Sequence, residues 1–173
     1  VQTLGVHKGG IYCMTYAPDG LALATGGDDG QIRLWNTTTG QLQFLLEGHH
    51  QRVAALAFAP DGHTLASAGF DTTVRLWDPA SGKARAVLKG HTERAGALAF
   101  SPDGRLLVSG SFDHRALVWD VASGRAVAVL EGHGERVATV AFAPDGKTLA
   151  TASHDGRVRL WDIASLASKE SPR

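Results

Sequence analysis

Apolar runs of about four to six residues alternate along the chain with short polar breaks. Residues 49–90 show the pattern in full. Val53 to Phe58 is an apolar run rich in alanine, and Pro60-Asp61-Gly62 ends it. Proline presets a turn dihedral and glycine accepts a positive φ, so this break reads as a hairpin connection. Thr64 to Ala68 is the next run, closed by Gly69-Phe70-Asp71. Val74 to Trp77 has the β-branched and aromatic residues that suit a strand. Ser81-Gly82 turns the chain again, and Ala84 to Leu88 is the fourth run. No stretch sustains a 3.6-residue apolar period, and runs this short favour strands over helices.

The pattern repeats. Tryptophans fall at Trp35, Trp77, Trp119 and Trp161, each 42 residues after the last. Pro-Asp-Gly returns at Pro18, Pro60, Pro102 and Pro144 in the same phase, and so do His7, His49, His91 and His133. Four units of 42 account for all but five of the 173 residues. Four antiparallel strands in a repeat of this length make one blade of a β-propeller. The predicted fold is therefore all-β, with four blades over residues 1–163 and a flexible tail over 164–173.

Three units carry a further pair of landmarks: Gly48-His49 with Trp77-Asp78, Gly90-His91 with Trp119-Asp120, and Gly132-His133 with Trp161-Asp162. In this the chain resembles the WD-repeat (Trp-Asp) β-propeller family over essentially its whole length. The first unit departs twice, with Val6 before His7 where glycine is usual and Asn36 after Trp35 where aspartate is usual.

Every unit holds a histidine, a hydroxyl residue, an aspartate and a tryptophan in fixed order. The sets are His7, Thr25, Asp29, Trp35; His49, Ser67, Asp71, Trp77; His91, Ser109, Asp113, Trp119; and His133, Thr151, Asp155, Trp161. A Ser-His-Asp hydrolase would use such a set once, beside a substrate cleft. Four copies that exchange Ser and Thr point instead to structure. The resemblance implies a network in which Asp accepts from His, His meets the hydroxyl, and the hydroxyl meets the indole N–H. No catalytic residue is assigned. His49-His50 without a cysteine cluster makes no metal site, and no cofactor is expected.

Four blades pose a closure problem, because four-fold closure needs about 90° per blade and eight-fold about 45°. Val1 to Leu4 align with the strand at Val127 to Leu130, while residues after Ile163 lack that strand. The N-terminal strand therefore fits the vacancy in the last blade, within the chain or from a second one. An open half-ring exposes strand edges, and pairing two copies removes them. The expectation is an eight-bladed ring formed by a strand-exchanged homodimer. A piece of a longer protein is the competing reading, and the absence of a starting methionine fits trimming or processing.

The resemblance also implies where partners bind: three residues past the His, five past it, and one before the Asp. The first column is then Gly10, Arg52, Arg94 and Arg136, the second Tyr12, Ala54, Gly96 and Ala138, and the third Asp28, Phe70, Phe112 and His154. Arginine and aromatic residues dominate interface hot spots, and arginine grips carboxylates and phosphates with two parallel bonds. A rim for acidic or phosphorylated peptides is one reading. The other has each arginine packing on a neighbouring phenylalanine, or pairing with Glu93 or Glu135, to hold blades together.

Composition narrows the function classes. Seventeen basic residues balance seventeen acidic ones, which argues against nucleic-acid or polybasic membrane partners. The one cysteine, Cys13, excludes an internal disulfide and fits a cytoplasmic setting. The leading expectation is a non-catalytic protein-interaction scaffold. The alternative is a self-assembling half-propeller or repeat fragment with no dedicated ligand.

Overall fold

The computed structural model of the chain describes residues 3–164. These residues form fifteen strands in chain order: β1 Ile11–Tyr16, β2 Ala22–Gly27, β3 Ile32–Asn36, β4 Leu42–Leu46, β5 Val53–Phe58, β6 Leu65–Gly69, β7 Val74–Asp78, β8 Lys83–Leu88, β9 Ala95–Phe100, β10 Leu106–Ser111, β11 Ala116–Asp120, β12 Arg125–Leu130, β13 Val137–Phe142, β14 Thr148–Ser153 and β15 Val158–Asp162. They pair as four antiparallel meanders, β1–β4, β5–β8, β9–β12 and the three-stranded β13–β15. Each meander is one repeat, so the hydrophobic runs and the turn residues between them specify the blades directly.

The Pro-Asp-Gly breaks are tight turns. Gly20, Gly62, Gly104 and Gly146 adopt φ between 69° and 74°, a region that favours glycine. The turn aspartates accept from the backbone N–H two residues on, at 2.8–3.1 Å. Because the chain reverses at every turn, all four His and Asp turns lie at one end of the blades and all four Pro-Asp-Gly turns at the other.

The core lies between blades rather than within one. β1 packs on β5, β5 on β9 and β9 on β13. Three apolar clusters fill these junctions and repeat the same positions. The first joins Ile32, Leu34 and Leu46 to Val53, Leu56, Phe58 and Trp77. Alternation along each strand supplies one apolar face to each neighbour.

The irregularities of the sequence have local explanations. Val6 is exposed, and the backbone passes close to Trp35 at Gly5 instead, where a Cβ would lie 2.5 Å from the indole. The close approach made at Gly48 and Gly90 is thus shifted by one residue in the first blade. Asn36 does the work of Asp78, accepting from two backbone N–H groups at 2.8 and 2.9 Å; an amide oxygen serves as well as a carboxylate there. Leu117, which stands where other units have arginine, is buried in the junction between the second and third blades.

Among the described residues no strand pairs with the outer edge of β15. Thr3 and Leu4 belong to no sheet. Residues 1–2 of the expected N-terminal strand, and residues 165–173 of the expected tail, lie outside the described residues. Among the described residues the outer faces of the first and last blades are uncovered, with Met14 and Leu160 exposed, and the blades form an open arc. No helix among the described residues is long and apolar enough to cross a membrane.

Candidate functional site

At the His and Asp end of every blade the four repeated residues meet in one chain of hydrogen bonds. Trp35, Trp77, Trp119 and Trp161 donate their indole N–H to Thr25, Ser67, Ser109 and Thr151 at 2.8–3.0 Å. The same hydroxyls contact Nε2 of His7, His49, His91 and His133 at 2.8–2.9 Å. Nδ1 of each histidine lies 2.9–3.0 Å from Asp29, Asp71, Asp113 and Asp155. One assignment satisfies every group: the indole donates to the hydroxyl, the hydroxyl to Nε2, and Nδ1–H to the carboxylate. The histidines and hydroxyls are buried, so each would otherwise strand an unpaired polar atom.

The carboxylates take further donors. Backbone N–H groups of Lys8, His50, Thr92 and Gly134 reach them at 2.9–3.1 Å. Arg33 adds an ion pair to Asp29 at 2.9 Å, and Thr73 a hydroxyl to Asp71 at 2.8 Å. Burial alone would raise the carboxyls of Asp29, Asp71 and Asp113, but the donors, His first, outweigh it and hold them far below the usual carboxylate range. Asp155 is lowered chiefly by the Gly134 N–H. The hydroxyls point inward to histidine and indole.

The three columns expected to meet partners lie around these turns. In each blade the first-column carbonyl accepts from the third-column N–H, at 3.0 Å for Gly10 and Asp28, 2.9 Å for Arg52 and Phe70, 2.9 Å for Arg94 and Phe112, and 3.1 Å for Arg136 and His154. The bulge at the start of each first strand sets this closure. Side chains then bridge from blade to blade. The Arg52 guanidinium lies 3.6 Å from the Tyr12 ring centre and 5.0 Å from that of Phe70. Arg94 lies 4.7 Å from Phe70 and 5.9 Å from Phe112, and Arg136 4.6 Å from Phe112. Phe70 and Phe112 meet edge to face at 5.9 Å. The result is one ladder, Tyr12–Arg52–Phe70–Arg94–Phe112–Arg136, across three blade junctions.

Asp28 anchors its first rung through an ion pair with Arg52 Nε at 2.7 Å, which holds the Asp28 carboxyl below its ordinary value. The exposed His154 imidazole stands outside the ladder. Glu93 and Glu135 make no ion pair with the arginines among the described residues; their backbone carbonyls accept from Ser111 and Ser153. The aromatic faces outcompete those carboxylates because a ring already in place costs no side-chain ordering, whereas an exposed ion pair does. An open groove of about 430 Å³ runs between the second and third blades, lined by Gln51, Phe70, Thr72, Glu93, Arg94 and Phe112.

Sequence reasoning missed two features near this rim. Thr72 and His114 follow the turn aspartates in left-handed conformations, at φ 70° and 68°. Gly30 and Gly156 hold the equivalent positions, so a column of aligned units reveals the mismatch. Beneath the rim, Cys13 is half-buried, with its thiol pushed up to about 12 by burial, and it approaches the Val53 carbonyl at 3.5 Å. It is a packing residue and a poor nucleophile. Among the described residues no three His, Cys, Asp or Glu side chains converge to hold a metal.

A second concavity lies at the opposite end, between the second and third blades, and includes Asp61, Arg85, Asp103, Arg105 and Asp120. Its aspartates are already engaged by backbone N–H groups and by Ser101 and Ser123. The rim is the better candidate.

Known proteins share stretches of this sequence. The chain is 49% identical over 47 residues to WD repeat-containing protein 86 of Homo sapiens, covering 27% of this chain and 12% of that protein. It is 38% identical over 55 residues to nuclear distribution protein PAC1-1 of Uncinocarpus reesii, 32% and 12% of the two chains. It is 39% identical over 56 residues to the APC/C activator protein CDC20 of Saccharomyces cerevisiae, 32% and 9%. The matches thus span only a small part of each relative. The WD domain, G-beta repeat, matches residues 1–36, 40–78, 82–120 and 124–162, each later unit beginning with the last strand of one meander and ending with the third strand of the next, and the chain belongs to the WD40 repeat family.

Proposed function

We propose that this chain is a non-catalytic scaffold that works in the cytoplasm and binds an acidic or phosphorylated peptide on the Arg/aromatic rim. WD40 repeat proteins generally act as protein-interaction scaffolds. The observation that carries the finer reading is the ladder itself. The rings hold Arg94 and Arg136, and among the described residues no carboxylate takes their N–H donors, which leaves these for a carboxylate or phosphate. The rings keep the long side chains ordered, so less entropy is lost on binding. Arg94 is exposed at the centre of the ladder and lines the groove. Glu93 lines it too, so an anionic group must approach Arg94 clear of that carboxylate.

The stacking also holds neighbouring blades together, and the two roles separate experimentally. Arrayed acidic and phosphoserine peptides, probed with the whole chain, should show binding that weakens with salt. Arg94→Ala should lose tenfold or more in affinity while its melting temperature changes little, and Glu93→Gln should strengthen binding. Wild-type protein that binds none of the peptides, or Arg94→Ala that binds as well as wild type, would refute the reading.

A further inference from the structure

The two open ends of the arc carry the halves of one more blade junction. Each internal junction uses the same positions. The earlier blade supplies Ile32, Val74 or Ala116, then Leu34, Leu76 or Val118, then Leu46, Leu88 or Leu130. The later blade supplies Val53, Ala95 or Val137, then Leu56, Leu98 or Val140, then Phe58, Phe100 or Phe142. Moved back by one repeat, the later set becomes Ile11, Met14 and Tyr16. Moved forward, the earlier set becomes Val158 and Leu160.

These residues are as apolar as their counterparts but uncovered. Ile11 is 52% exposed, Met14 70% and Tyr16 62%, and at the other end Val158 is 69% and Leu160 72% exposed. Val53, Val74, Leu34 and Leu76 are no more than 2% exposed. Leu4 stands one repeat before Leu46. Leu46, Leu88 and Leu130 register against Ile32, Val74 and Ala116, so the same register would set a Leu4 opposite Val158, on an edge of β15 that no described strand covers.

We infer that a second copy of this chain covers both faces, head to tail, closing a two-chain ring. Blade 1 of each copy packs on blade 4 of the other, with Ile11, Met14 and Tyr16 against Val158 and Leu160, and Leu4 beside Val158. A second copy fits because it brings both complementary faces at once, in a contact the chain already makes three times. The zero net formal charge sets no long-range repulsion against it. A head-to-tail interface either closes a ring or grows without limit.

Light scattering of the whole chain after size exclusion tests this. The expected mass is twice 18.2 kDa, unchanged on moderate dilution. The mass of one chain, which would leave the faces for blades of another protein, overturns it, and so does an open-ended ladder of masses. Leu160→Glu should shift the protein to single-chain mass while keeping its strand circular dichroism, because this side chain is already exposed within one chain. Met14→Glu, on the opposite face, should do the same should the first variant misfold. A dimer that survives either folded variant overturns the proposed interface.

Discussion

The buried hydrogen-bond network and the exposed ladder lie a few residues apart in every blade, yet they vary in opposite ways. The network is built four times, with donor–acceptor distances agreeing within about 0.2 Å between blades. The rim changes from blade to blade: Gly10 with Asp28, Arg52 with Phe70, Arg94 with Phe112, Arg136 with His154. Burial explains the difference. A buried indole N–H or imidazole without a partner costs about 1–3 kcal/mol, so each blade must satisfy the same set. A rim side chain loses only an exposed stacking contact of about 0.5–1 kcal/mol when it changes. The rim is therefore free to specialise while the network keeps the blades alike.

The largest effect should come from the network's apolar end. Trp119→Ala removes a side chain that is fully buried in a central junction, and should cost about 3–5 kcal/mol in denaturant unfolding. A loss below 1 kcal/mol would mean that the junctions are not the core. Asp71→Ala strands the N–H groups of His49 and His50, and a cost of about 1–3 kcal/mol is expected. A melting temperature equal to wild type would remove the structural role of the network.

The same carboxylates set a pH dependence. Their folded values lie below their unfolded ones, so the stability they contribute is fully present above about pH 5 and is lost as pH falls through the folded values. Thermal melts between pH 6 and pH 3 should fall with acid, and Asp71→Asn should flatten that limb. A melting temperature that holds to pH 3 in the wild type would contradict the assignment.

Rim changes should be smaller. Phe112→Ala removes the ring stacked by Arg94 and Arg136 and should cost about 1–2 kcal/mol. A cost above about 3 kcal/mol would make the ladder as structural as the network. Thr72→Gly should stabilise by about 0.5–1 kcal/mol, since threonine there holds a left-handed φ of 70°. Destabilisation on calorimetry would show that the Thr72 side chain holds the groove in place.

Much of the site was legible one residue at a time. The 42-residue period places each histidine, hydroxyl, aspartate and tryptophan in its blade, and the resemblance to the WD-repeat family implied their contacts, which close within one repeat. The ladder was legible only as columns. That Arg52 turns to Tyr12 and Asp28 of the preceding blade, and that Arg94 and Arg136 turn to Phe70 and Phe112 and not to Glu93 or Glu135, depends on the distance between consecutive blades, which no single repeat encodes. Gly5 taking the close approach to Trp35 is similar, since a shift of one residue is visible only when the backbone is laid against the indole.

The sequence by itself determined the strands, their turns, the meander order and the polar network, because all of these rest on contacts within about 40 residues of chain. Tertiary structure alone decided which side chains meet across junctions and which apolar faces stay open. Met14 and Leu56, or Leu160 and Leu34, occupy equivalent positions in the repeat and differ only in whether a neighbouring blade stands over them. Burial is a property of that neighbour's position in space, and a repeat read along the chain carries no record of it.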